Sequence, residues 1–158
     1  MRILLVEDEK PVVSLVKRCL ESNQYAVDVA YDGEHAQSLV DEADFDLVIL
    51  DSALPKSGGF EALKRECRWP AVTTCADVIV SDMNMLDDNG IDSFEQLVQK
   101  GRQRPQFALM SGDFSDEDLA RASRLGCAPI KTPLDMAQFA KWLEEVERLS
   151  PSKRTFYG

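Results

Sequence analysis

Carboxylates that close apolar runs are the residues of this chain best suited to chemistry. Glu7 and Asp8 follow Ile3-Leu4-Leu5-Val6, Asp51 follows Leu47-Val48-Ile49-Leu50, and Asp82 follows Val78-Ile79-Val80-Ser81. An aspartate attacks a phosphoryl group when its own charge and that of the incoming oxygens are offset by a hard cation. Magnesium suits this role, because it takes oxygen ligands and is held by one or two carboxylates together with water and phosphate. In that chemistry Asp8 is the acid for direct contact with Mg2+ and Glu7 the acid for contact through water, with Asp51 as a further ligand. Asp51 or Asp82 is the nucleophile that becomes the acyl phosphate. Ser111, after Phe107 to Met110, offers a hydroxyl to a phosphoryl oxygen, and Lys131 offers a mobile point charge suited to phosphate. Such a set accepts a phosphoryl group and loses it slowly. Its enzymology is at most magnesium-dependent self-phosphorylation and autodephosphorylation at aspartate.

One acid after a strand carries little information, because the chain leaves a sheet toward water there. Acids at three such ends, with a hydroxyl and a lysine in matching order, carry much more. The two candidate nucleophiles also belong to a repeat: Asp46-Leu47-Val48-Ile49-Leu50-Asp51 ahead of Gly58-Gly59 is echoed by Asp77-Val78-Ile79-Val80-Ser81-Asp82 ahead of Asn89-Gly90, offset by 31 residues. Either aspartate completes the set with Glu7 and Asp8, and only one can hold the usual place.

Strands must deliver these residues. Ile3 to Val6 and Leu47 to Leu50 are short apolar runs of the kind found in strands covered on both faces, and Tyr25 to Ala30, Val78 to Ser81, Phe107 to Met110 and Ala128 to Ile130 supply the other strands. Helical patterns lie between them. The first has Pro11 in its opening turn and Val12, Leu15, Val16 and Cys19 on its predicted inner face; the second follows Asp32-Gly33 and carries Ala36, Leu39, Val40 and Ala43. Later helices carry Ile91, Phe94, Leu97 and Val98, then Leu119, Ala122 and Leu125, then Met136, Phe139, Leu143 and Val146. Ser115-Asp116-Glu117-Asp118 has capping-box spacing, and Gly126 is placed to close that helix. Strands alternating with helices imply a doubly wound α/β fold of three layers with a parallel sheet, whose ligands bind beyond the carboxyl ends of the strands.

The chain's 158 residues, 44% of them hydrophobic, suffice for one well-buried domain over residues 1–149, with the repeated β-α units near 46–66 and 77–100 and a frayed tail over 150–158. A formal charge of −10 argues against direct nucleic-acid binding. Cys19, Cys67, Cys75 and Cys127 form no metal-ligand spacing and fit a reducing compartment, and His35 has no partner nearby in sequence. Without an apolar stretch of signal or membrane-spanning length, the sequence predicts a soluble cytoplasmic protein.

With these motifs in place, the chain resembles the receiver domain of bacterial two-component response regulators, the flavodoxin-like, five-stranded family of the single-domain chemotaxis regulator. Ile3 to Glu9 is similar to the family's first strand and acidic pair. Asp51 stands at the family's distance from that pair and precedes Leu54-Pro55 and Gly59-Phe60; Ser111 matches the family's Ser/Thr, and Leu125-Gly126-Cys127-Ala128 ahead of Lys131-Thr132-Pro133 resembles the approach to its lysine and proline. The resemblance implies magnesium-dependent phosphorylation of an aspartate by a sensor histidine kinase or a small phosphodonor, and a downstream protein partner. Two departures stand out. Lys131 lies one residue earlier than the family's lysine, with Thr132 before the proline, and Ala128, Pro129 and Ile130 fill the region of the aromatic switch residue. Counted from the first half Asp51 is the acceptor, whereas counted back from Ser111 and Lys131 it is Asp82.

The repeat therefore predicts a sheet expanded to six strands in the order 2-1-3-3′-4-5, or else an arrangement with Asp82 beside the first strand, in which the segment near Asp46 to Cys75 is extruded or halves are swapped between two chains in a dimer instead of a monomer. The alternative function is a non-phosphorylated pseudo-receiver acting as a protein-interaction scaffold. A flavin-binding protein of similar layering is disfavoured, since Glu7 and Asp8 stand where a phosphate-cradling loop would be needed.

Overall fold

The computed structural model describes residues 1–50, 78–82, 91, 92, 95, 106–133 and 135–149. Six strands, β1 (Arg2–Val6), β2 (Ala26–Ala30), β3 (Leu47–Leu50), β4 (Val78–Asp82), β5 (Gln106–Ser111) and β6 (Ala128–Lys131), form one parallel sheet in the order β2-β1-β3-β4-β5-β6. Four helices are described in full: α1 (Lys10–Ser22), α2 (Gly33–Glu42), α3 (Asp116–Leu125) and α4 (Met136–Leu149). Ile91, Asp92 and Glu95 are also helical.

Alternation along the strands divides the core in two. Ile3 and Leu5, Leu47 and Ile49, Val80 and Ala108 face one side, where they pack with Val13, Val16 and Leu20 of α1 and Phe139, Leu143 and Val146 of α4. Leu4 and Val6, Val48 and Leu50, and Leu109 face the other, against Ala36 of α2, Ile91, Ala122 of α3 and Cys127. Successive strand residues point to opposite faces, so a strand covered on both sides is apolar throughout, and all four residues of β3 are buried. Phe114 and Leu125 pack at the margin of the second cluster.

Helix boundaries follow local chemistry. Pro11 lies in the first turn of α1, where its missing N–H costs nothing. The Asp32 carboxylate caps α2 by accepting from the His35 N–H at 2.7 Å, and His35 itself is exposed. Ser115 and Asp118 form a reciprocal capping box on α3, and Gly126, at φ 72°, ends that helix in the left-handed region where a glycine is unstrained.

One predicted helix face requires correction. In α1 the buried stripe is Val13, Val16 and Leu20, whereas Val12 is 36% and Leu15 61% exposed. Both stripes have three-and-four spacing; the one used is the one that fits Ile3, Leu5 and the α4 side chains on the same face of the sheet. In α3, Leu119 is 40% exposed and Ala122 makes that helix's buried contact. Phe94, Leu97 and Val98 lie outside the described residues, as do residues 150–158.

Cys127 follows Gly126 into the core. Its N–H donates to the Ala122 carbonyl at 2.8 Å, and burial pushes its thiol up to about 12, a backbone hydrogen bond with Leu109 opposing the shift in part. A thiol reacts as its thiolate. Raising the pH ionises this group first in the unfolded chain, so its contribution to stability is complete below the ordinary thiol range and is lost as pH climbs toward about 12. At about pH 8, alkylation followed by peptide mass spectrometry will find Cys127 essentially unmodified while the partly exposed Cys19 is labelled; in denaturant the two will label at similar rates.

Candidate functional site

Because all strands run parallel, their carboxyl ends share one rim. The register across the sheet places Val6, Leu50, Ser81, Leu109 and Pro129 in one row. One residue further along stand Glu7 on the first strand and Asp82 on the fourth; two further stand Asp8, Ser111 and Lys131.

At the β1 end, Glu7 is 5% exposed. Its backbone N–H donates to the Ala30 carbonyl at 3.0 Å, carrying the β1–β2 pairing one step past the strand, and its Oε1 accepts from the Glu9 N–H at 2.9 Å. That second bond turns the chain into α1 and leaves Asp8 exposed on the rim. A buried carboxylate held by the backbone beside an exposed one fits the partial oxygen shell that magnesium accepts, with water or phosphate completing it. Among the described residues no group of three or more His, Cys, Asp or Glu side chains converges as a metal cage.

At the other end of the rim, Ser111 is 2% exposed and pairs with Lys131 across β5 and β6. Its hydroxyl donates to the Asp113 carbonyl at 2.8 Å and accepts from the Asp113 N–H at 3.2 Å, while its own carbonyl accepts from the Thr132 N–H at 2.8 Å. The hydroxyl thus serves the turn between β5 and α3. Lys131 is exposed, and the Thr132–Pro133 peptide bond that follows it is cis.

Strand order decides which residues meet. Adjacent parallel strands lie about 4.8 Å apart, and β3 and β4 both stand between β1 and β5. Ser111 is therefore roughly 14 Å from β1 across the sheet and Lys131 roughly 19 Å. Glu7 and Asp8 form one group, Ser111 and Lys131 another. Asp82 ends β4, whose neighbours are β3 and β5, so it is two strands from Glu7. Asp51, the second candidate acceptor, lies outside the described residues; the residue before it, Leu50, pairs with Val6, the residue before Glu7.

Sequence reasoning missed the local use of the Ser111 hydroxyl, for which Ser-Gly-Asp at a strand end was the available signal. Ser111→Ala removes both bonds to Asp113 and will lower unfolding stability by about 1–2 kcal/mol, read as a reduced midpoint in urea at unchanged slope.

Comparison with known proteins adds a family. Residues 3–75 match the model of the response regulator receiver domain. The transcriptional regulatory protein TcrA of Mycobacterium tuberculosis is 39% identical over 98 residues, covering 60% of this chain and 39% of that protein. The transcriptional regulatory protein CpxR of Escherichia coli is 44% identical over 63 residues, covering 40% of this chain and 27% of that one. The chain thus spans between about a quarter and two-fifths of the length of these curated relatives. Among solved structures, the non-phosphorylated HemR receiver domain of Leptospira biflexa aligns with a TM-score of 0.55 at 25% identity, covering 92% of both chains. The chemotaxis protein CheY4 of Vibrio cholerae aligns with a TM-score of 0.53 at 20% identity, covering 92% of this chain and 97% of its own. Residues 3–75 thus match the response regulator receiver domain, and the fold is the flavodoxin-like fold of solved receiver domains.

Proposed function

We propose that this receiver domain accepts a phosphoryl group on Asp51, with magnesium held from the Glu7 and Asp8 end of β1. The observation that supports this reading is the β1–β3 pairing: Val6 and Leu50 are partners, and each directly precedes an acid of the set. Asp82 follows a strand that does not touch β1.

The chemistry asked of the chain is modest. The phosphoryl group leaves the acyl oxygen of a phosphodonor, or the imidazole nitrogen of a histidine kinase. The donor departs as a carboxylate or a neutral imidazole, and a new bond joins phosphorus to an Asp51 carboxylate oxygen. When bound, magnesium neutralises phosphoryl oxygens that would otherwise repel the attacking carboxylate. Glu7, fixed by the Glu9 N–H, orients the start of α1, and Asp8, exposed beside it, is the acid available for direct contact. Misplacements of about 1 Å can cost about 10²-fold in rate, so Ser111 and Lys131, three and four strands from β1, are too remote to serve this acceptor. Acceptance proceeds on the acidic half of the rim alone, and slowly. The match of residues 3–75 to the receiver domain supports a role in two-component signalling, with a histidine kinase or a small phosphodonor as the source of the phosphoryl group.

Incubation with acetyl phosphate and magnesium, followed by intact-mass and peptide analysis, tests this. One phosphoryl group is expected, lost in Asp51→Asn and in magnesium-free buffer, retained in Asp82→Asn, and changed less than about threefold by Lys131→Ala, a change within the range of an exposed charge. No phosphorylated species under any of these conditions would overturn the reading and leave the domain an interaction scaffold.

A further inference from the structure

We infer that Asp82 is a reserve acceptor: β4 is fitted to replace β3 beside β1 without any change of register, and that replacement brings the Asp82 position next to Glu7. Its service as an acceptor rests on the phosphoacceptor reading above; the exchange itself rests on strand pairing alone.

β3 and β4 pair as Leu47 with Val78, Val48 with Ile79, Ile49 with Val80 and Leu50 with Ser81. Every pair is separated by 31 residues, the offset of the sequence repeat, so equivalent residues of the two copies lie side by side. β1 holds β3 through Ile3 with Leu47, Leu4 with Val48, Leu5 with Ile49 and Val6 with Leu50. Removing β3 and closing the gap sets Ile3 opposite Val78, Leu5 opposite Val80 and Val6 opposite Ser81. A one-residue slip would turn every side chain to the wrong face, and none is needed. Val80 already belongs to the buried cluster that contains Ile3, Leu5, Leu47 and Ile49, so it keeps its side of the sheet. The order becomes β2-β1-β4-β5-β6, and Ser111 moves from three strand spacings from β1 to two.

A separate observation selects β3 as the strand that yields. The helical residues that follow β4 in the chain are fastened to the second half of the domain. Ile91 is fully buried in the cluster of Leu109, Ala122 and Cys127, and one Arg121 nitrogen on α3 bonds both Asp92 Oδ1 and Glu95 Oε2 at 2.6 Å. β4 itself pairs with β5 along its length, from Val78 with Gln106 to Asp82 with Met110.

Hydrogen exchange on the full chain tests the exchange directly. In Ile49→Asp, which puts a charge at a buried position of β3, the amides of residues 47–50 will lose protection by at least about 100-fold while those of β1, β4 and β5 keep theirs. In the unmodified chain at low urea, β3 amides will exchange at least about tenfold faster than β1 and β4 amides, through an opening smaller than global unfolding. Acetyl phosphate and magnesium will then label Asp82 in Ile49→Asp, the phosphoryl group passing from the acyl oxygen to the Asp82 carboxylate with release of acetate, and Ile49→Asp/Asp82→Asn will carry no label. If β1 and β4 lose protection together with β3, or if all strands of the unmodified chain open at one rate, the strand exchange is overturned. If protection is kept and no label reaches Asp82 while the unmodified chain is labelled at Asp51, the exchange and the phosphoacceptor reading stand and the reserve-acceptor role is overturned; if neither chain is labelled, the exchange stands and the phosphoacceptor reading falls with the reserve-acceptor role.

Discussion

A parallel strand has two neighbours at most, and hydrogen bonding fixes each of them about 4.8 Å away. That spacing governs every distance on the rim of this domain. With both β3 and β4 between β1 and β5, the acids after β1 and the hydroxyl and ammonium after β5 and β6 are held apart by the sheet itself, and no rotamer change brings them together. The chemistry that remains possible on one side is that of carboxylates and a hard cation. On the other side, the buried Ser111 hydroxyl is engaged with the backbone of Asp113.

Burial explains why β3 is retained in the sheet between β1 and β4. All four residues of β3 are buried, and apolar side chains of this size contribute about 1.5–3 kcal/mol each when removed from water. Releasing β3 would therefore cost on the order of 6–12 kcal/mol, an upper estimate because unfolded chains already bury some surface. Closing β4 against β1 recovers part of that cost, so the exchange lies below global unfolding, about 5–15 kcal/mol for an ordinary domain. Packing thus holds the wider sheet, although the narrower one would gather the rim residues more closely. The surrounding helices follow the same logic: α1 and α4 cover one face through Val16, Leu20, Phe139 and Leu143, and α2 and α3 cover the other through Ala36 and Ala122.

Much of this was legible in the residues. The apolar runs Leu47 to Leu50 and Val78 to Ser81 mark strands because short, continuous, β-branched stretches serve when both faces are covered, and the Ser115–Asp118 cap and the Gly126 stop are local chemistry that sequence states directly. Val16 of α1 was read inward and is buried, but the side chains that join it were not legible, because Val12-Leu15-Cys19 and Val13-Leu20 both satisfy helical spacing and only the sheet and α4 choose between them. Nor could sequence rank Asp51 against Asp82, since each closes an equivalent run and the choice depends on which run hydrogen-bonds to β1. The Ser111 hydroxyl was read as free for a ligand because sequence does not show a backbone turn folding back on it.

Every distance on the rim depends on β3 standing between β1 and β4. Interstrand nuclear Overhauser effects in the isotope-labelled full chain measure it most directly. The backbone of Ile49 is expected to show contacts both to Leu5 and to Val80, with none between Leu5 and Val80. Direct Leu5 to Val80 contacts, with Ile49 bound to neither, would contradict it.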